Sequence, residues 1–290
     1  MSTAIRFPRI AGALLLGGAL LAQAPSVPAL RGTTRAENRV ERLAYGGRLR
    51  VQNRNGSIRV QGWDREEVAL AAAIRDSERR RVELVLQRQG ADLDIEARFQ
   101  QRGWSFGFGA VRSPRCEMAL SVPRRLLAFF RTTNGAVTVA RVNGYARCET
   151  TNGDIQVREV AGEVHVDTIN GNVELEDLKA RVKGGTTNGQ IRVEGVEGGL
   201  DLETTNGRIL ARNLDGWGEG IRMETTNGSI DVELGRASGE LRAENTVGSL
   251  EVHVPGAQLM ELGKHSVRLR IPGRSQRIHL ETTTGSIRIH

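Results

Sequence analysis

Aromatic residues are scarce: only 4% of 290 positions are Phe, Trp or Tyr. That excludes a core built on bulky rings. With 35 glycines, it favours many turns between strands packed with small, branched side chains. Cysteine is nearly absent. Cys116 and Cys148, with five scattered histidines, make no metal-ligand spacing. Both cysteines share the parity of the apolar residues in "CEMALSV" and "ARCETT", so each should point inward. They either pair in an oxidising compartment or serve as small buried hydrophobes. Long apolar runs are missing too. Ile10 to Ala22 spans thirteen residues, short of the ~20 that cross a bilayer, and no other run approaches that length. There is no G-x-S-x-G, H-E-x-x-H or G-x-x-x-x-G-K-[ST] motif, so neither catalytic residues nor a cofactor or metal is expected.

The one apolar run reads as an export signal. Arg6 and Arg9 precede it and Ala22-Gln23-Ala24 follows it, so residues 1–24 form a signal peptide, with Ala29 as a second cleavage position. No Cys follows the run, which argues against a lipid anchor. The expected location is therefore the periplasm or cell surface, with no transmembrane segment in the mature chain. Residues 25–44 read as a linker, 45–130 as an N-terminal β-rich part and 131–290 as a repeat region. Charge divides along the chain. Residues 1–134 carry 23 Arg and 12 acids, residues 135–235 carry 10 bases and 17 acids, and residues 236–290 carry 8 bases and 5 acids. Basic flanks can favour anionic partners, but no nucleic-acid motif accompanies the charge. A solvated Arg-rich surface explains it as well.

The chain repeats itself. Gly135, Gly153, Gly171, Gly189 and Gly207 follow one another at steps of 18, each after Asn. Gly228, Gly248 and Gly285 continue at steps of 21, 20 and 37, and Asn55-Gly56 is an isolated earlier copy. The step of 37 leaves room for one degenerate coil around "HSVRLRIPG". In "GEVHVDTINGNVELEDL", Val164, Val166 and Thr168 share a parity before the Asn-Gly corner, and Val173 and Leu175 do so after it. Each unit therefore offers two short strands. Asn-Gly suits a sharp corner because both residues tolerate positive φ.

Two all-β architectures fit. In an antiparallel meander of Asn-Gly hairpins, Asp167 opposes Glu174 and Glu224 opposes Asp231, which is unfavourable. In a single-stranded β-solenoid of ~18-residue coils, equivalent residues stack at ~4.8 Å. Glu149, Asp167, Glu203 and Glu224 then form one outward column, with Arg147, His165, Lys183, Asp201 and Arg222 beside it to neutralise them. Four identical steps favour the solenoid, because a coil must close its perimeter each time and hairpins need not.

"LRVQNRNGSIRVQGWDREEVAL", the "ALSVP" strand and the serial "TTNGxIxV" copies resemble the bacterial putative-adhesin domains of β-strand repeats, a family of unknown function. The resemblance covers about Tyr45 to His290. It implies an exported, β-helix-like protein and carries over no catalytic residues. Val247 and Thr284 depart from it where Asn is expected, as does the insertion "RGWSFGFGAVR".

Three features invite a functional reading. The Thr-Thr-Asn column, with Asn134, Asn152, Asn170, Asn188, Asn206 and Asn227, reads as a structural ladder whose amides and hydroxyls bond the backbone of neighbouring coils. A binding array for ordered water would want outward Thr at i and i+2, and adjacent Thr residues offer one. The acidic column lacks the dense Gly-Asp pattern of calcium β-helices. Trp104, Phe106 and Phe108 alternate between glycines; they are a candidate contact for a sugar or partner, or else a plug for the open end of the solenoid. The expected function is a non-enzymatic envelope or cell-surface protein, an adhesin-like scaffold or binding module. Its partner would be an envelope protein or surface polysaccharide. The alternative is a polysaccharide-active β-helix enzyme.

Overall fold

The structure is a computed structural model that describes residue 25 and residues 35–77, 80–101, 113–215 and 220–290. Residues 1–24, read as a signal peptide, lie outside these, as do Trp104, Phe106 and Phe108. The described residues form twenty-four strands of one winding sheet and no helix. The fold is a β-solenoid. Each coil runs up an approach strand to its Asn-Gly corner and away along a departure strand, and is named here by its corner glycine. Approach strands pair in parallel, as Asn143–Asn152 does with Ala161–Asn170, and departure strands do likewise, as Ile155–Arg158 does with Val173–Glu176. The hairpin alternative fails because each strand's partner is its equivalent one coil away.

The core runs between the two stacks. In the Gly171 coil, Val164, Val166, Val173, Leu175 and Leu178 are buried, as the period-2 parity requires. Burying each such side chain contributes ~1.5–3 kcal/mol, so each coil adds to a continuous dry column. Leu175 and Leu178 both face inward although three residues apart. Asp177 resolves this by adopting φ 52° between them. Arg141, Glu159 and Asn213 do the same at φ 59°, 51° and 52°, and Gly195 and Gly235 at 65° and 62°. This second corner turns each coil back towards the next approach strand.

The corner follows the sequence expectation only in part: Gly56, Gly248 and Gly285, in the outer coils, adopt positive φ of 130°, 135° and 150°, but the central coils do not. Its asparagines are not at positive φ, and neither are Gly153, Gly171, Gly189 or Gly207. Glycine is required there by close approach: a Cβ on Gly189 would lie 1.9 Å from the carbonyl oxygen of Gly171.

At both ends the chain departs from simple stacking. The Gly56 coil lies directly on the Gly135 coil, although residues 64–124 intervene between their nearest strands (Ile58–Trp63 and Arg125–Arg131). Those residues supply the N-terminal cap. Asp92–Gln101 and Arg115–Pro123 stack on the two strands of the Gly56 coil, and Arg80–Gln89, Glu67–Arg75 and Arg35–Arg42 follow antiparallel. Arg35–Arg42 thus corrects the linker reading of residues 25–44. Its charged alternation belongs to an outermost strand with one solvated face. At the other end the Gly285 coil sits between the Gly228 and Gly248 coils, out of chain order. "HSVRLRIPG" is not a degenerate coil. Ser266–Ile271 runs antiparallel to Gly239–Val247, and Gln258–Leu262 antiparallel to Ser266–Ile271.

Candidate functional site

The corner column is built in two layers. The first Thr of each copy points inward and donates to the corner carbonyl of its neighbour: Thr150 to Gly135 at 3.0 Å, Thr168 to Gly153 at 3.0 Å and Thr186 to Gly171 at 2.9 Å. These hydroxyls are buried, so each satisfies a carbonyl that water does not reach. The asparagines form the outer layer. Asn134 donates to Asn55 at 2.7 Å, and Asn152, Asn170, Asn188, Asn206 and Asn227 each donate their amide to the preceding one at 2.9–3.0 Å. The amides bond one another rather than the backbone, and they are exposed. Thr284 and Val247 end the ladder in the next two coils.

The approach strands present two charged columns beside this ladder. Arg147 binds Glu149 at 2.5 Å, Arg222 binds Glu224 at 2.5 Å, and Asp201 is held by Lys183 at 3.7 Å and Arg222 at 3.6 Å. The hydrogen bond to Glu149 raises the Arg147 pKa above its ordinary value. Partial burial raises that of Asp167 despite the pull of Arg147. The columns therefore neutralise one another sideways and across coils. The intercalated coil adds His279 and Glu281 beside Glu224, with ligand atoms of all three within 4.8 Å. Sequence reading missed this trio because spacing places His279 far from Glu224. Arg222 already occupies Glu224, so the trio reads as part of the ion-pair network.

Of the concavities on this face, two bear on the charged columns and the rings beside them. One, of about 430 Å³, opens where Gly184 and Gly185 replace the inward and outward side chains of the other coils; Asp167, Lys183, Asp201, Glu203, Thr187 and Arg222 line it. The other, of about 380 Å³, is lined by Arg50, Gln52, Phe129, Arg131, Arg147 and Glu149. Beside it the Phe129 and Tyr145 rings lie 5.4 Å apart, and Tyr145 lies 5.4 Å from the His165 ring. Sequence reading overlooked this row because Tyr145 stands two residues off the column that holds Phe129, Arg147 and His165. Only pairing shows them as neighbours.

The cysteines do not pair. Cys116 and Cys148 are free and fully buried, and burial pushes both thiols up to about 12.

A family model matches residues 47–290, the stretch that holds the stacked coils. This chain belongs to the Toastrack DUF4097 family. Solved structures similar to this family member share little sequence with it. A "putative cell adhesion protein" of Clostridium sporogenes ATCC 15579 is 13% identical, covers 88% of this chain and 99% of its own, and has a TM-score of 0.24. A "putative adhesin" of Bacteroides fragilis NCTC 9343 is 10% identical over 90% and 100%, with a TM-score of 0.48. A "putative lipid binding protein" of Parabacteroides distasonis ATCC 8503 is 14% identical over 89% and 98%, with a TM-score of 0.44. No curated protein sequence matches the chain. Among the described residues no helix is long and apolar enough to cross a membrane.

Proposed function

We propose that this protein is an exported, non-enzymatic scaffold of the cell envelope or surface that binds an extended polymer along its coils. The observation that carries this reading is the row Phe129–Tyr145–His165 beside a groove lined by Arg50, Arg131 and Arg147. A row of adjoining, tilted rings on a surface with few aromatics suits the apolar faces of sugars, and flanking Arg and Glu side chains suit their hydroxyl and acidic groups. A solenoid holds such groups at fixed spacing without reorganisation, which keeps the entropic cost of binding low. Trp104, Phe106 and Phe108, in the chain segment between Asp92–Gln101 and Arg115–Pro123, are further proposed contact residues. The basic N-terminal part would orient the rod towards an anionic surface.

The test is retention on a panel of neutral and acidic polysaccharides, with release of new chain ends followed in parallel. Retention that is lost in Tyr145→Ala, without cleavage, supports the reading. Turnover of any polymer defeats it, and a panel that retains nothing leaves an envelope protein as the partner, to be identified by pull-down. Fractionation of the native cells tests export, and a cytoplasmic pool of full-length protein would overturn that part.

A further inference from the structure

The two ends of the solenoid are finished differently. Beyond the Gly56 coil the N-terminal end adds two strands to the approach stack and three to the departure stack. Its core is closed, with Val68, Leu70, Ile74 and Val82 all buried. Its outermost strand is lined with Arg35, Glu37, Arg39 and Glu41, charges that discourage another strand from pairing.

The opposite end is lopsided. Beyond the Gly248 coil the approach stack gains Ser266–Ile271 and Gln258–Leu262, while the departure stack stops at Leu250–Val252. Among the described residues two strands of sheet therefore overhang with no strand across from them, and only Val254 and Ala257 of the connecting turn pack against the core there. Leu259 lies opposite Leu269 and Leu262 opposite Val267, so both leucines extend the inward, core-facing stripe. A bulge between Leu259 and Glu261 shifts the register and keeps both on that face. Yet Leu259 is 59% exposed and Leu262 70%. On the other wall, Leu250 and Val252 are half-exposed, whereas Ile287 and Ile289 in the coil below them are fully buried. The core of the solenoid runs out into solvent here, as a half-layer socket.

We infer that this end is a docking surface for a second copy of the same chain, joined tail to tail about a two-fold axis. The shape itself names the occupant. Each copy has two surplus strands on one wall and lacks strands on the other, so a two-fold rotation lays one overhang over the other's exposed Leu250–Val252 edge. Both overhangs are then covered and the core continues from rod to rod. The rim carries both signs on both walls, with Glu261 paired to Arg268 on the overhang and Glu251 to Arg288 on the shorter wall, which suits contact with a second copy of itself. The contact is isologous and closes at two copies, since the other end is already capped. A double-length rod with two equivalent binding faces gains avidity for any repeating polymer.

Sedimentation velocity of the purified full chain over a range of concentrations tests this. The expected mass is twice the 31.7 kDa of one chain, with no higher species. Leu262→Lys and Leu259→Lys should each abolish the dimer while leaving the circular dichroism spectrum unchanged and removing any dependence of the thermal midpoint on protein concentration, because both side chains are already exposed in one copy. Val40→Lys, at a residue 64% exposed on the capped end, should leave the dimer intact. A monomer at every concentration would overturn the inference, and so would a dimer that survives both leucine changes or is lost in Val40→Lys. Open-ended multimers would also overturn it. A monomer whose Leu262 is needed for binding phosphatidylglycerol vesicles would assign the socket to lipid instead.

Discussion

Substituting Gly189 by Ala should damage the protein far more than removing the amide beside it. The new Cβ would lie 1.9 Å from the Gly171 carbonyl oxygen and 2.7 Å from its carbon, where ordinary contact begins near 3.4 Å. The corner must therefore open by more than an ångström. Three hydrogen bonds cross that gap or adjoin it: Gly189 N–H to Asn206, Gly171 N–H to Asn188, and the Thr204 hydroxyl to Gly189. Each contributes ~0.5–1.5 kcal/mol net, so loss of two or three costs about 3 kcal/mol. Asn188→Ala loses two amide contacts, of 3.0 Å to Asn170 and 2.9 Å from Asn206, but both are exposed and water replaces them. Its cost should be about 0.5–1 kcal/mol. Thr186→Val should fall between the two, because its buried hydroxyl leaves the Gly171 carbonyl short of a donor. Urea unfolding followed by circular dichroism measures all three. Equal costs for Asn188→Ala and Gly189→Ala, or a silent Gly189→Ala, would refute the close-approach explanation of the corner.

Deleting Ala161 to Leu178, one whole coil, should leave a folded protein shorter by ~4.8 Å, whereas a nine-residue deletion in the same place should not fold; equal damage from both would count against modular stacking. Cys116 and Cys148 should resist alkylation at pH 8 until the chain is unfolded, since burial holds both thiols at about 12 and leaves almost no thiolate. Rapid labelling of the native protein would contradict that. Burial raises the Asp167 pKa, so ionising this carboxyl opposes folding: its favourable contribution is present at acid pH and is lost as pH rises through the folded value. Asp167→Asn should therefore leave stability at pH 7 unchanged or slightly higher, and a clear loss would show that its pairing with Arg147 outweighs its burial.

The central coils were legible because one period governs both pattern and space. Asn152, Asn170, Asn188 and Asn206 recur at 18 residues and stack at each step, and Val164, Val166, Val173 and Leu175 are buried as their parity indicates. The second corner was not legible, since Arg141, Glu159, Asp177 and Asn213 share a backbone conformation but no side-chain chemistry. The role of the corner glycine was legible only in part, since the outer corners at Gly56 and Gly248 take positive φ while the central ones need glycine for close approach. Positive φ and close approach both select glycine, and only the neighbouring coil tells them apart. Both ends escaped sequence reading because pairing there depends on strands far apart in the chain. The charged strand Arg35–Arg42 looks like a linker until the Ala-rich strand Glu67–Arg75 is placed beside it.

The position of the Gly285 coil bears on how the molecule is assembled. The Gly248 coil leaves the ribosome before the layer that supports it, so for a time its floor is missing. Residues 277–289 must then slide between two layers already made, as a keystone enters an arch. Until they do, Ile230 and Val232 on one side and Leu241 and Ala243 on the other each lack the neighbour on the facing side. Growth one coil at a time, the simplest route for a repeat protein, cannot finish this end; it closes in one cooperative step that depends on distant partners. A chain held extended during passage through a membrane would meet that requirement naturally, because no layer sets before the keystone arrives.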